Sequence, residues 1–118
     1  MFKLGRKSFI KDERDLKLSN YTESLKLHIP PVSFGHYSLI NKWEMLANDT
    51  VGDCTISGAE HETMLWTDEG KGKSAIFTDQ NALSDYSAIT GYTSNDPSTD
   101  TGADVRTVLK YRQQTGFG

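Results

Sequence analysis

The sequence has one cysteine, three prolines and no apolar run long enough to cross a lipid bilayer. A single cysteine excludes an internal disulfide, which indicates a reducing compartment or one whose redox state does not matter to the fold. Lysine and arginine number 13 against 16 aspartates and glutamates, for a net charge of -3. Without a cationic excess to release phosphate counterions, the chain is not expected to bind nucleic acid. We therefore expect neither a nucleic-acid nor a membrane partner.

The N-terminal residues 1–7 also lack the apolar stretch of a secretory signal, so we expect no secretion through a signal peptide. The composition itself is ordinary, because 36% hydrophobic and 25% charged residues are typical of a soluble globular chain. At 118 residues the chain is one domain or part of one, and it can bury a modest core.

The first part of the chain, residues 1–42, shows little helical periodicity. A Pro30-Pro31 pair interrupts any helix, and apolar residues at alternate positions over 25–29 predict a short extended strand. We interpret this part as an arm that gains order by lying on the rest of the chain or on a partner. We expect residues 43–118 to form a helical module.

Three helices are predicted in the second part of the chain, because apolar residues recur there at helical spacing. Their expected bounds are Thr55–Thr67, Asp79–Ile89 and Ala103–Gln114. Asp53 and Thr78 are candidate N-caps of the first two helices, and Gly91 is a candidate C-terminal cap of the second. We expect the apolar faces to pack around Ile56, Ala59, Trp66, Leu83, Tyr86, Val108 and Leu109. The predicted fold class is therefore mainly α, with three helices behind an irregular or extended arm.

The lone cysteine, Cys54, stands where a loop is predicted to become a helix. The first amides of a helix have no internal partner, and the helix dipole adds partial positive charge there. Both effects stabilise a thiolate, so Cys54 is a candidate nucleophile. Gly52, two residues earlier, allows a tight turn and leaves room for a substrate carbonyl. The alternative is that Cys54 is a small buried apolar residue, which is the commoner role of a lone cysteine.

Cys54 also ends a wider pattern, in which Asn48 lies six residues before it and Gly52 two. This spacing resembles papain-like cysteine peptidases, where an amide donor, a glycine and a nucleophile at a helix start follow in that order. Longer motifs resemble papain-like proteins of tailed bacteriophages and prophages. These motifs are Leu-Gly-Arg at 4–6, Trp-x-Met-Leu-x-Asn-Asp-x-x-Gly-Asp-Cys at 43–54, Tyr-Ser-Ala-x-Thr-Gly-Tyr at 86–92 and Thr-Asp-x-Gly at 99–102.

The resemblance implies the N-terminal, cysteine-bearing half of an α+β papain-like fold. It implies Cys54 as the nucleophile and Asn48 as a donor to the oxyanion. The residues that it places along the substrate cleft are Gly52, Asp53, Thr101 and Gly102. For Asn48 an ordinary role as a turn residue is the alternative, and both interpretations stay open.

A protein partner is also implied, since the cleft of this fold lies between two halves. The partner would be the C-terminal half, another subunit or virion proteins. The resemblance implies synthesis in the host cytoplasm, with the virion as a further location, and it implies no cofactor. A second class of function is that of a virion structural or assembly protein that uses the helical scaffold for protein contacts.

A catalytic base is missing from the pattern, although a thiol nucleophile needs one within reach. The histidines are His28, His36 and His61. His61 lies about 10 Å along the helix from Cys54, and the other two belong to the arm. In the papain pattern the histidine follows the cysteine by more than a hundred residues, and only 64 follow here. We therefore expect this chain alone to be inactive as a peptidase.

No metal site is expected either. The acidic loop over 95–104 lacks the alternating ligands and terminal glutamate of an EF-hand. Glu60, His61 and Glu62 are neighbours on one helix and point in different directions.

Overall fold

A computed structural model describes residues 4–22, 29 and 31–118 of the chain. Its α-helices are α1 (Ser19–Thr22), α2 (Cys54–Lys71), α3 (Asp79–Thr90) and α4 (Val105–Gln114). Two 3₁₀ turns lie at Tyr37–Leu39 and Pro97–Thr99. The described residues form no sheet, only isolated bridges between Arg6 and Ala103 and between Thr93 and Asp96. The mainly α prediction is confirmed, with a short fourth helix, and the strand predicted over 25–29 lies outside the described residues except for Ile29.

The longest helix, α2, runs four residues beyond its predicted end. It passes through Gly70 and stops at Gly72, whose left-handed φ of 64° closes the helix while its N–H donates to the Asp68 carbonyl. Asp53 occupies the predicted N-cap position, but its side chain makes no capping hydrogen bond. The Asp53 backbone carbonyl instead accepts from the amides of Ile56 and Ser57, at 2.7 and 3.1 Å.

The second predicted helix is confirmed as α3, and its caps are those expected from the sequence. Thr78 Oγ1 accepts from the Asn81 amide at 3.3 Å, and Asn81 Oδ1 accepts from the Thr78 amide at 3.0 Å. This reciprocal pair satisfies two amides that the helix itself cannot. Gly91 ends the helix with a φ of 76°.

The third predicted helix is α4, which begins two residues later than expected. Its N-cap is Asp104, whose side chain accepts from the Thr107 amide at 3.0 Å. Within the described part of the chain, no helix is long and apolar enough to span a membrane.

Buried apolar residues form two clusters, and both include residues of α2 and α3. The first cluster is Ile40, Leu46, Met64, Phe77 and Ala82. The second cluster is Ile56, Ala59, Tyr86, Ala103 and Val108. Phe117 packs against both clusters and so joins them.

Four of the seven predicted core residues are in the second cluster, but Trp66 and Leu109 are 53% and 40% exposed, and Leu83 is only half-buried. Ten residues separate Trp66 from Ile56, which places it about 80° around the helix from the buried face. There the Arg112 guanidinium lies 5.0 Å from the centre of the Trp66 ring. Trp66 therefore covers the surface of α2 and does not fill the core.

Replacing Ile56 by Ala should lower the free energy of unfolding by about 2–5 kcal/mol, because the side chain is fully buried and leaves a cavity. Urea denaturation measures the change. Ile76, which is 82% exposed, provides the matched control, and Ile76→Ala should change stability by less than about 0.5 kcal/mol. Equal denaturation midpoints for the two variants would contradict this packing.

Candidate functional site

Three glycines from distant parts of the chain meet just before the start of α2. A Cβ at Gly5 would overlap the carbonyl oxygen of Gly52, and a Cβ at Gly102 would overlap the carbonyl oxygen of Gly5. A Cβ at Gly52 would lie only 3.2 Å from the Gly5 Cα. Gly102 also has a φ of 73°, a conformation that a side chain disfavours. Gly5 and Gly102 therefore leave no space for a side chain, and a side chain at Gly52 would crowd the Gly5 Cα.

Residues 4–7 cross this contact as an extended segment that pairs with the loop before α4. The Ala103 amide donates to the Gly5 carbonyl at 2.8 Å, and the Lys7 amide donates to the Ala103 carbonyl at 3.0 Å. These are the bonds of a parallel bridge between Arg6 and Ala103. We name the backbone surface of Gly52, Gly102 and Ala103 the glycine groove.

The two loops of the glycine groove are held together by Tyr86, which is fully buried. Its hydroxyl donates to Asp100 Oδ1 at 2.8 Å and accepts from the Gly102 amide at 2.8 Å. The same Asp100 oxygen accepts from the Gly52 amide at 3.0 Å. Burial, followed by the hydrogen bond to Asp100, raises the pKa of Tyr86, so the hydroxyl stays protonated and can donate.

Cys54 is the first residue of α2 and is half-buried beside this groove. The sequence therefore placed it correctly at a helix start, two residues after Gly52. Thr101 is exposed, and its amide donates to the Thr99 carbonyl at 2.9 Å. The structure brings Gly52 and Gly102 together through Gly5.

Asn48 lies in an unusual turn ahead of the groove. Leu46 and Ala47 have φ values of 52° and 65°, in the left-handed region that side chains disfavour. Burial of Leu46 and a 3.1 Å hydrogen bond from the Ala47 amide to Asp79 Oδ1 hold this turn. The Asn48 amide donates to the Met45 carbonyl at 3.1 Å, which makes Asn48 part of the turn.

Two buried carboxyl groups belong to Asp53, next to Cys54, and to Glu60 on α2, whose burial was not predicted. Asp53 and Glu60 are fully buried, and their carboxyl oxygens meet no hydrogen-bond donor among the described residues. Burial raises the pKa of Asp53 to about 7, and the negative charges of Asp100, Asp79 and Asp49 add to it.

Glu60 is affected in the same way, and it also faces the buried carboxylate of Asp85. Burial raises its pKa to about 8, with the charges of Asp85 and Asp53 contributing. Protonation gives Glu60 a hydrogen that it can donate to Asp85. Asp85 itself accepts from the Tyr111 hydroxyl at 3.1 Å and from the Gly118 amide at 3.0 Å. The spacing carried a signal, since Glu60 is four residues after Ile56 and so shares its buried face.

The two described histidines are bound far from the thiol. His61 Nε2 donates to the Trp43 carbonyl at 2.7 Å, two helical turns from Cys54. His36 pairs with Glu69, which is roughly 22 Å along the α2 axis from Cys54. His28 lies outside the described residues. Neither described imidazole can take a proton from Cys54 in this arrangement.

Within the part of the chain that is described, no group of three or more histidine, cysteine, aspartate or glutamate side chains could hold a metal ion. Comparison of the chain with protein-family models, curated proteins and solved structures found no match. The groove, the thiol and the buried carboxyls are therefore interpreted from their own geometry.

Replacing Tyr86 by Phe should lower the free energy of unfolding by about 1–3 kcal/mol, because the buried Gly102 amide loses its acceptor. Urea denaturation measures the loss. Tyr37→Phe is the control, since Tyr37 is largely exposed and its change should be below about 0.5 kcal/mol. The two-loop connection would be contradicted if Tyr86→Phe were as stable as the parent chain.

Stability should fall as pH rises from about 4.5 to about 8, because folded Glu60 keeps a proton that the unfolded chain releases. The Glu60→Gln variant lacks this titration and can donate to Asp85 at any pH. Its melting temperature should therefore match that of the parent chain at pH 4 and exceed it at pH 8. At pH 8 the free energy of unfolding of the variant should be larger by an amount on the order of a few kcal/mol.

The stability of Glu60→Gln should still fall somewhat as pH rises, because the pKa of Asp53 is also raised in the folded chain. The exposed Glu13 provides the control, and Glu13→Gln should follow the parent curve. Parallel plots of melting temperature against pH for Glu60→Gln and the parent would refute the buried, protonated state of Glu60.

Proposed function

We propose that the chain is a papain-like phage protein related to cysteine peptidases. In this proposal it forms the cysteine-bearing wall of the substrate cleft, and it has no peptidase activity alone. The observation that carries this proposal is the position of Cys54 at the start of α2, directly after a backbone groove formed by Gly52 and Gly102. The motif resemblance supports the same assignment, since it names the same residues.

The chemistry that this wall could supply is nucleophilic. A Cys54 thiolate at a helix start would attack a peptide carbonyl, and the partial positive charge of the helix dipole there would stabilise both the thiolate and the developing oxyanion. Asn48 would be a further donor. The thiol would still need an imidazole base, and the proposal places that base on another segment or subunit.

A second candidate is a virion structural or assembly protein, and one observation favours it. Large apolar side chains are exposed at many of the described positions between 4 and 39, and exposed apolar surface is where protein partners bind. These residues include Leu4, Phe9, Leu16, Leu18, Val32, Phe34 and Tyr37. A protein partner would cover them in either function.

The purified chain should show no Cys54-dependent turnover of unfolded protein or of fluorogenic peptides. The reason is that His61 and His36 are bound to Trp43 and Glu69, away from the thiol. Fluorescence release by the parent chain and by Cys54→Ala is compared at equal concentration. Turnover by the parent that Cys54→Ala abolishes would disprove the inactive assignment.

A further inference from the structure

We propose that the glycine groove is a binding site for an extended peptide that carries glycine, and that residues 4–7 of this chain are its resident, displaceable ligand. The inference concerns what the groove binds. It rests on the proposed function only where it describes the groove as part of a cleft beside Cys54.

The glycine groove binds the main chain of its ligand through hydrogen bonds. Ala103 offers both its amide and its carbonyl to the same segment, at 2.8 Å to the Gly5 carbonyl and 3.0 Å to the Lys7 amide. This is how an added strand binds an exposed edge, where main-chain hydrogen bonds supply the affinity. The bonds do not depend on which side chains the ligand carries at its other positions.

The glycine groove selects for glycine because it has no space for a side chain at the position of Gly5. The ligand passes between Gly52 and Gly102 so closely that a single methyl group at Gly5 would overlap the Gly52 carbonyl oxygen. The groove cannot widen freely, because Tyr86 and Asp100 tie its two loops together. A ligand therefore needs glycine at the position of Gly5.

The resident segment is held mainly by these backbone contacts, which makes it replaceable. Leu4 is 96% exposed, so this side chain does not anchor the segment in a pocket. A second attachment lies further along, where Arg106 Nη2 donates to Asp15 at 2.5 Å and to the Ile10 carbonyl at 3.3 Å. That attachment keeps residues 10–15 on α4 and tethers residues 4–7 near the groove when they leave it.

The groove lies beside the candidate thiol. Gly52 is two residues before Cys54, a separation of at most about 7 Å along an extended chain. A peptide bound in the groove is thus presented next to Cys54. Under the proposed function, the resident segment occupies part of the cleft, and an incoming glycine-containing peptide exchanges with it.

The test measures hydrogen exchange of the Ala103 amide, which reports directly on the Gly5 carbonyl. In the full chain carrying Gly5→Ala, exchange at Ala103 should accelerate at least about tenfold, because the segment can no longer enter the groove. Gly35→Ala is the matched control, since a Cβ there meets Tyr37 at an ordinary 3.5 Å, and its exchange should match the parent. Unchanged exchange in Gly5→Ala would overturn the proposal.

A synthetic peptide with the sequence of residues 1–11 is then added in excess to the Gly5→Ala chain. It should restore slow exchange at Ala103, and the same peptide with Ala in place of Gly5 should not. Failure of the first peptide, or equal protection by both, would overturn the assignment of a glycine-requiring site.

Lys7→Pro is a second variant, which leaves Gly5 unchanged and removes the Lys7 amide donor, so that the segment loses one of its two hydrogen bonds to Ala103 and leaves the groove more often. It should accelerate Ala103 exchange even if Gly5→Ala destabilises the whole chain, and amides of α3 report on global unfolding in both variants. These readouts do not involve Cys54. Peptidase activity of the chain would therefore refute the proposed function and leave the groove assignment standing.

Discussion

The Tyr86 hydroxyl joins the two loops on which the candidate site depends. It donates to Asp100 and accepts from Gly102, while Asp100 also accepts from Gly52. A buried tyrosine on α3 thereby sets the distance between backbone segments that lie before α2 and before α4. Because Tyr86 is also in the second apolar cluster, the spacing of the groove and the packing of the helices are coupled.

The same core contains carboxyl groups that an apolar interior does not favour. Asp53 and Glu60 are fully buried, and Glu60 faces Asp85. Taking such groups out of water opposes folding unless a proton or a partner neutralises them. Asp53 directly precedes Cys54, so part of this unfavourable burial lies immediately behind the candidate nucleophile.

The thiol of Cys54 and the glycine groove lie side by side, but they need different groups to function. A thiol at a helix start is a nucleophile only if a base reaches it, and the described histidines are bound elsewhere. A backbone groove needs no base to bind a peptide. The proposed peptide site therefore does not depend on the chemistry, which would need groups from another segment or subunit.

The sequence by itself determined the three longer helices and the caps of α3, since apolar spacing, the Thr78 and Asn81 pair and Gly91 act within a few residues of each other. It also placed Cys54 at a helix start. Only the tertiary structure decided that Gly5 meets Gly52 and Gly102, that Trp66 stays at the surface, and that Glu60 is buried against Asp85. These contacts join residues that are far apart along the chain, and local periodicity carries no information about which distant segment will cover a given face.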